Sequence, residues 1–233
     1  MTGIFRNSGQ RMRSSHGQHD WWQNTSWNED IEAAFFKKFA RTRNKSLYLR
    51  GQARFLASSH PEVALRLLDQ YFALGADLCE AEAHFYRARA HVALRNVDAA
   101  VIAFEATLAR EDAVPNFRTW AFHELPVLIA TERVSARYDR AIQVLMQHKH
   151  WLTFPVQHYQ WHGALALIFH EQGQTLEAAN EAKQALEAAK MTDSGFQYHS
   201  NLGLVGDTAD EFGNRLGEIA GKPRSGLQWW RKR

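Results

Sequence analysis

From Pro61 to Leu186 the apolar residues recur every three to four positions, in stretches of about a dozen residues separated by short polar breaks. That period predicts amphipathic helices with one buried face. Four of the stretches place an alanine at their opening: Ala64 in "PEVALRLLDQYF", Ala100 in "VDAAVIAFEATL", Ala141 in "YDRAIQVLMQH" and Ala178 in "TLEAANEAKQAL". Punctuation sets the ends. His60-Pro61-Glu62 starts a helix with proline in its first turn, and Gly75 stands where that helix can stop. Pro115-Asn116, Pro155 and Gly173 mark further joints, while Pro126 falls inside a helical pattern and predicts a kink there. "AFFKKFARTRNKSLYLRGQARFL", Ala34 to Leu56, reads as one long leading helix. "SGFQYHSNLGLVGD" reads as an ordered loop. After it, Thr208 with Glu211 predicts a capping box for a last helix ending near Gly221.

The four alanines are spaced by 36, 41 and 37 residues. Four positions on stand Leu68, Phe104, Leu145 and Ala182, and eight on stand Phe72, Leu108, Lys149 and Leu186. Twelve positions back, on the preceding helix, stand Gln52, Ala88, Ile129 and Ala166. A period in the mid-thirties with two helices per period is the signature of a helical-hairpin array. "YRARAHVALRNVDAAVIAFEATL" and "GALALIFHEQGQTLEAANEAKQAL" resemble tetratricopeptide repeats in their small residues, turn glycine Gly173 and closing leucines Leu108 and Leu186. The family's helix-A tryptophan is absent, and its closing proline falls on Asp112 in the second unit. "FFKKFARTRNKSLYLRGQ", "YDRAIQVL" and "SGFQYHSNLGLV" together resemble a group of bacterial repeat proteins. The resemblance implies an all-α, right-handed solenoid of about four hairpins, with a leading helix and a C-terminal capping helix. It also explains Ala99, Ala100, Ala103 and Ala106 beside Phe104: a helix B that touches its own helix A and the next unit needs small residues on two sides. An α-helical bundle with alanine-rich seams is the alternative arrangement.

In such arrays the helix-A faces line a groove for a partner. Carried over by alignment, that groove comprises Leu49, Arg50 and Ala53, then Glu82, Phe85, Tyr86 and Arg89, then His123 and Val127, then Gln160, Ala164 and Leu167. Phe85, Tyr86 and Arg89 have the aromatic and arginine composition of a binding hot spot. The family's carboxylate clamp does not map, since Leu49, Ala53 and Tyr86 stand at its positions.

Composition narrows the function. One cysteine, Cys79, allows no internal disulfide and points to a reducing compartment. The first twenty residues lack the apolar core of a secretory signal. His150 to His170 is free of Lys, Arg, Asp and Glu but carries four histidines, a proline and a glycine, which argues against a membrane helix. A cytoplasmic protein without a transmembrane segment is expected. The net charge of +3 hides a division: residues 1–27 carry +2, residues 221–233 carry +5, and the body between carries −4. An acidic body disfavours nucleic acid as the partner. The chain divides into a basic, polar tail, partly disordered, over 1–27, a repeat domain over 28–220, and a basic tail over 221–233. Trp21, Trp22 and Trp27 can fold back on the leading helix. Trp229 and Trp230, with Arg231, Lys232 and Arg233, are expected to form a docking segment for an acidic partner or membrane surface.

Catalytic chemistry finds little support. His158 and His162 stand at i and i+4, where one helix face presents both to a metal, and His148, His150 and His170 are candidates for a third ligand. "HELPV" and "HEQGQ" lack the second histidine of a zinc-protease motif, and no phosphate loop or nucleophile elbow is present. Cys79 lies at a predicted helix start, where a thiolate can be stabilised. The residues point to a non-catalytic adaptor for another protein or peptide, with no cofactor and no bound metal, and compatible with a homo-oligomer. A dedicated chaperone or immunity-type protein, and a metal-dependent enzyme on the His158/His162 face, are the alternatives.

Overall fold

The structure, a computed structural model, describes residues 21–75 and 77–221. Among them the chain is all-helical, with ten α-helices, two single turns of 3-10 helix and no strand. The helices are α1 (Glu29–Phe39), α2 (Lys45–Leu56), α3 (Pro61–Ala73), α4 (Glu80–Ala93), α5 (Val97–Ala113), α6 (Ala121–Thr131), α7 (Tyr138–His148), α8 (Pro155–Glu171), α9 (Thr175–Ala189) and α10 (Glu211–Ile219). They gather into two compact units, one ending at Ala121 and one beginning at Phe122.

In the first unit α2 packs on α3 and α4 on α5, and α4 also meets α3 and α2. In the second, α8 packs along α9, and α10 lies against both. The alanine register explains why. Ala64, Ala100, Ala141 and Ala178 are all fully buried, as are Leu68, Phe104, Leu145 and Ala182 four positions on. The positions twelve back, Gln52, Ala88, Ile129 and Ala166, are buried too, on α2, α4, α6 and α8. Eight positions on, the pattern loosens, since Leu108 is buried but Lys149 is exposed.

The turns after α4, α6 and α8 share one hydrogen-bond pattern. Asn96 N–H donates to His91 O, Val134 N–H to Ile129 O and Gln174 N–H to Phe169 O, each reaching back five residues. This closure puts Arg95, Arg133 and Gly173 in the left-handed region, at φ of 56°, 55° and 75°. Glycine accepts that backbone freely, whereas the arginines bear a steric cost.

Two expected elements differ. Ala34–Leu56 is not one helix but α1 and α2, broken at residues 40–44. Thr42 Oγ1 donates to Phe39 O, and Asn44 Oδ1 accepts from Leu47 N–H, so short polar side chains end one helix and start the next. The last helix is capped not by Thr208 with Glu211 but by Asp210, whose Oδ1 accepts from Gly213 N–H at 2.8 Å. Pro61, Gly75 and Pro155 stand where the sequence placed them, Pro126 lies inside α6, and the stretch after Met191 is a loop.

The N-terminal tryptophans do fold back. Trp21 contacts Phe35 and Tyr48 with ring centroids at 5.3 and 4.8 Å, Trp27 contacts Phe35 at 5.6 Å, and Trp22 meets Tyr48 and Phe55. Asn24 ties this segment to α2: its side-chain and backbone N–H groups both donate to Gln52 Oε1, and Gln52 Nε2 donates back to Asn24 O at 2.7 Å. Glycine makes room. A Cβ on Gly51 of α2 would lie 2.4 Å from the Trp22 ring, and one on Gly163 of α8 would lie 2.4 Å from the Phe212 ring of α10.

These close approaches generate two predictions. Ala100→Leu should destabilise by about 1–3 kcal/mol through overpacking, and Phe104→Ala by about 3–5 kcal/mol through the cavity left behind. Unchanged melting of both variants would show that α5 is not held as described. Gly51→Ala and Gly163→Ala should each lower the melting temperature, although replacing a mid-helix glycine by alanine ordinarily adds about 1 kcal/mol of helix stability. A rise in melting temperature would mean that the facing ring moves aside freely.

Candidate functional site

The residues predicted to line a groove separate into two kinds. Leu49 and Ala53 on α2, Phe85 on α4, Val127 on α6, and Ala164 and Leu167 on α8 are buried between helices. Phe85 meets Phe104 of α5 edge-on, with centroids 5.9 Å apart, so it belongs to the α4–α5 core. His123 is also buried, and Tyr86 is nearly so. Arg50, Glu82, Arg89 and Gln160 keep partial exposure. Arg50, Glu82, Tyr86 and Arg89 come together in the first unit. Gln160, with the other predicted residues from His123 on, lies in the second unit.

The first-unit group is built by helical spacing. Arg50 and Arg54 are one turn apart on α2, and Glu82, Tyr86 and Arg89 follow one another on α4 at intervals of four and three. Where the two helices meet, Arg50 Nε pairs with Glu82 Oε2 at 3.2 Å. The Arg89 guanidinium lies 5.9 Å from the centre of the Phe85 ring. Burial raises the Tyr86 hydroxyl above its ordinary range, against the fields of Arg54, Arg50 and Arg89 and together with that of Glu82. Arg50, Arg54, Arg89 and the Glu82 carboxylate thus all lie near the Tyr86 hydroxyl. Elsewhere on α3 to α5, Arg87 pairs with Asp69, Arg66 with Glu32 and Arg110 with Glu80. Arg54 was not among the expected groove residues, although its spacing of four from Arg50 was visible.

The second unit holds an open cleft of about 470 Å³ beside α8 and α9, bordered by Thr153, Pro155, His158, His162, Glu187 and Met191. His158 and His162 lie nearly parallel with ring centroids 6.3 Å apart. His162 Nδ1 meets Glu181 Oε2 of α9 at 2.6 Å, a partner nothing in the sequence spacing indicated. Desolvation first, then His162 and Lys149, push the His158 imidazole below its ordinary value, which favours a neutral ring. His148 Nδ1 contacts Val144 O, and His150 meets the Trp151 ring edge-on. Among the described residues no three His, Cys, Asp or Glu side chains are arranged to hold a metal ion. Cys79 precedes α4 half-buried, and its N–H donates to Asp77 Oδ1.

Among the described residues no helix is long and apolar enough to cross a membrane. Trp229, Trp230, Arg231, Lys232 and Arg233 lie outside the described residues. No family model, curated protein or solved structure matches the chain.

His123 gives the second unit a pH dependence. Burial pushes its imidazole from 6.5 down to about 4, partly opposed by a hydrogen bond with the Gln157 backbone. The unfolded chain therefore binds a proton in the window from pH 6.5 to 4 that the folded chain refuses. This contribution to stability is complete above the unfolded value and is lost as pH falls toward the folded one, by on the order of 3 kcal/mol in all. His123→Gln should flatten the fall in melting temperature across that window. An equally steep fall in the variant would assign the acid sensitivity to other groups.

Proposed function

We propose that the chain is a non-catalytic scaffold that binds a partner protein or peptide, built as a right-handed solenoid of divergent tetratricopeptide-like hairpins with α1 and α10 at its ends. The observation that carries this reading is the register itself. Equivalent small residues are buried on α4 and α8 and on α3, α5, α7 and α9, with Gln52 buried at the same place on α2, and three of the intervening turns close with the same hydrogen bond. Contacts of α4 with α2, α3 and α5 support nearest-neighbour stacking of the first two hairpins, since a helix in such an array touches its own hairpin and the one before.

Stacking of this kind leaves a continuous helix-A surface whose long polar side chains are free to differ from repeat to repeat, and that variability suits recognition rather than catalysis. The mix of Arg50, Glu82, Tyr86 and Arg89 fits this use, because arginine and tyrosine give much contact for little ordering cost.

Affinity purification of the full chain from its native cell, with quantification of what co-elutes, tests the reading. A protein retained in near-stoichiometric amount through a salt wash is the expected result. Recovery of the chain alone, with stoichiometric zinc or iron by elemental analysis, would overturn the scaffold in favour of a metal-dependent enzyme.

A further inference from the structure

The histidine pair on α8 is more organised than its spacing alone requires. His158 and His162 stand one turn apart, both half-buried, and both border the cleft beside α8 and α9. Their neighbours fix the phase of the helix: Tyr159, Trp161 and Gly163 are buried, and Trp161 Nε1 donates to Leu145 O at 3.0 Å. Both imidazoles are therefore carried on one side of a helix that has little freedom to turn, and the rings lie nearly parallel. A carboxylate only accepts hydrogen bonds, so the 2.6 Å contact with Glu181 Oε2 places the His162 proton on Nδ1. In the neutral ring that leaves the lone pair on Nε2. This is the arrangement by which an outer carboxylate orients a metal-ligating imidazole. Because Glu181 belongs to α9, the orientation is set across the hairpin.

We infer that His158 and His162 bind a divalent first-row transition-metal ion such as zinc, with Glu181 as the positioning residue for His162. Imidazole suits zinc, copper and nickel, whereas magnesium and calcium take oxygen ligands. With Glu181 beside the pair and Glu187 on the rim, the cleft suits a cation better than an anion. Lys149 acts in the opposite sense, and its ammonium is held over the Trp161 ring at 5.3 Å. Three protein ligands are not assembled among the described residues, so a four-coordinate ion on this pair keeps two positions for water or for groups of an incoming molecule. That makes the site open and exchangeable rather than a closed structural centre. Through Glu181 a bound ion also braces α8 against α9. The inference is independent of the scaffold reading.

The test titrates zinc chloride into the full, untagged chain in competition with a chromophoric chelator, with magnesium chloride as the comparison. Zinc should bind and raise the melting temperature, and magnesium should do neither. Proton NMR of the wild-type chain should show the imidazole signals of His158 and His162 moving on zinc addition. His158→Ala and His162→Ala should each weaken zinc binding by tenfold or more, and Glu181→Gln by about tenfold through the lost orientation. His150→Ala, an exposed histidine just before α8, should leave binding unaltered. Absence of zinc uptake would overturn the inference. So would binding of equal strength in wild type and His158→Ala, equal weakening by His150→Ala, or a Glu181→Gln variant as tight as wild type. Unmoved His158 and His162 signals at saturating zinc would overturn it without any variant. The co-purification experiment separates this outcome from the scaffold reading. A chain that retains a native partner but takes up no zinc sinks the metal site and leaves the scaffold standing. Zinc held by wild type and lost in His158→Ala, with no partner retained, upholds the site and sinks the scaffold.

Discussion

Close approach of helices through small side chains is the constraint on which the rest of this structure depends. A leucine-rich seam holds helix axes apart and tolerates variation in their angle; an alanine seam does not. With Ala64, Ala100, Ala141 and Ala178 fully buried, each second helix has little room to shift on its neighbours. The large residue four positions on then fills the wedge that the alanine leaves open. Phe104 does so against Phe85, and Leu68 and Leu145 take the corresponding places on α3 and α7. Where the wedge residue is itself small, at Ala182, bulk is available from the facing helix: α8 supplies Leu165, Leu167 and Ile168, all buried.

That constraint also explains how the sequence is finished at its first described segment. Gln52 occupies the register place held by Ala88 on α4 and Ala166 on α8, yet it is as fully buried as they are. A buried amide is costly unless its hydrogen bonds are made. Here they are made to Asn24, on the strand of chain that carries Trp21 and Trp22 across α2. The aromatic segment covers this surface of α2, and the paired amide fixes its register. Gly51 and Gly163 solve the same problem in each unit: the covering ring, Trp22 or Phe212, needs a place where the helix surface has no side chain.

Much of this was legible and some was not, for physical reasons that can be named. Helix existence and phase followed from apolar spacing, because burial of one face is what holds each helix in place. Pro61, Gly75 and Gly173 were legible because each restricts or frees one backbone angle. The break at residues 40–44 was hidden because apolar residues continue on both sides, and only Thr42 and Asn44 reveal it, through side chains that compete locally with the backbone. The cap of α10 was misplaced because Thr208 and Asp210 are both good caps, and which one serves depends on where the preceding loop delivers the chain. The site was the least legible part. Alignment identified helix faces but could not say which side chains on them are seam and which are surface. Leu49, Ala53 and Phe85 proved to be seam.

What is left exposed is informative for that reason. α2 and α4 each have a buried side fixed by the packing register and a side that keeps partial exposure. On α2 and α4 the outer side carries Arg50, Arg54, Glu82 and Arg89; Arg54 lies near the half-buried Phe55 ring, and the seam supplies the Phe85 ring near which Arg89 lies. Core and surface are therefore coupled at these positions: the Phe85 ring that fills the α4–α5 contact also orients Arg89. A substitution that repacks Phe85 would alter the charge pattern of the face without touching a charged residue. The alanine register, by fixing where α4 lies, thus decides how the charged groups of the face are presented.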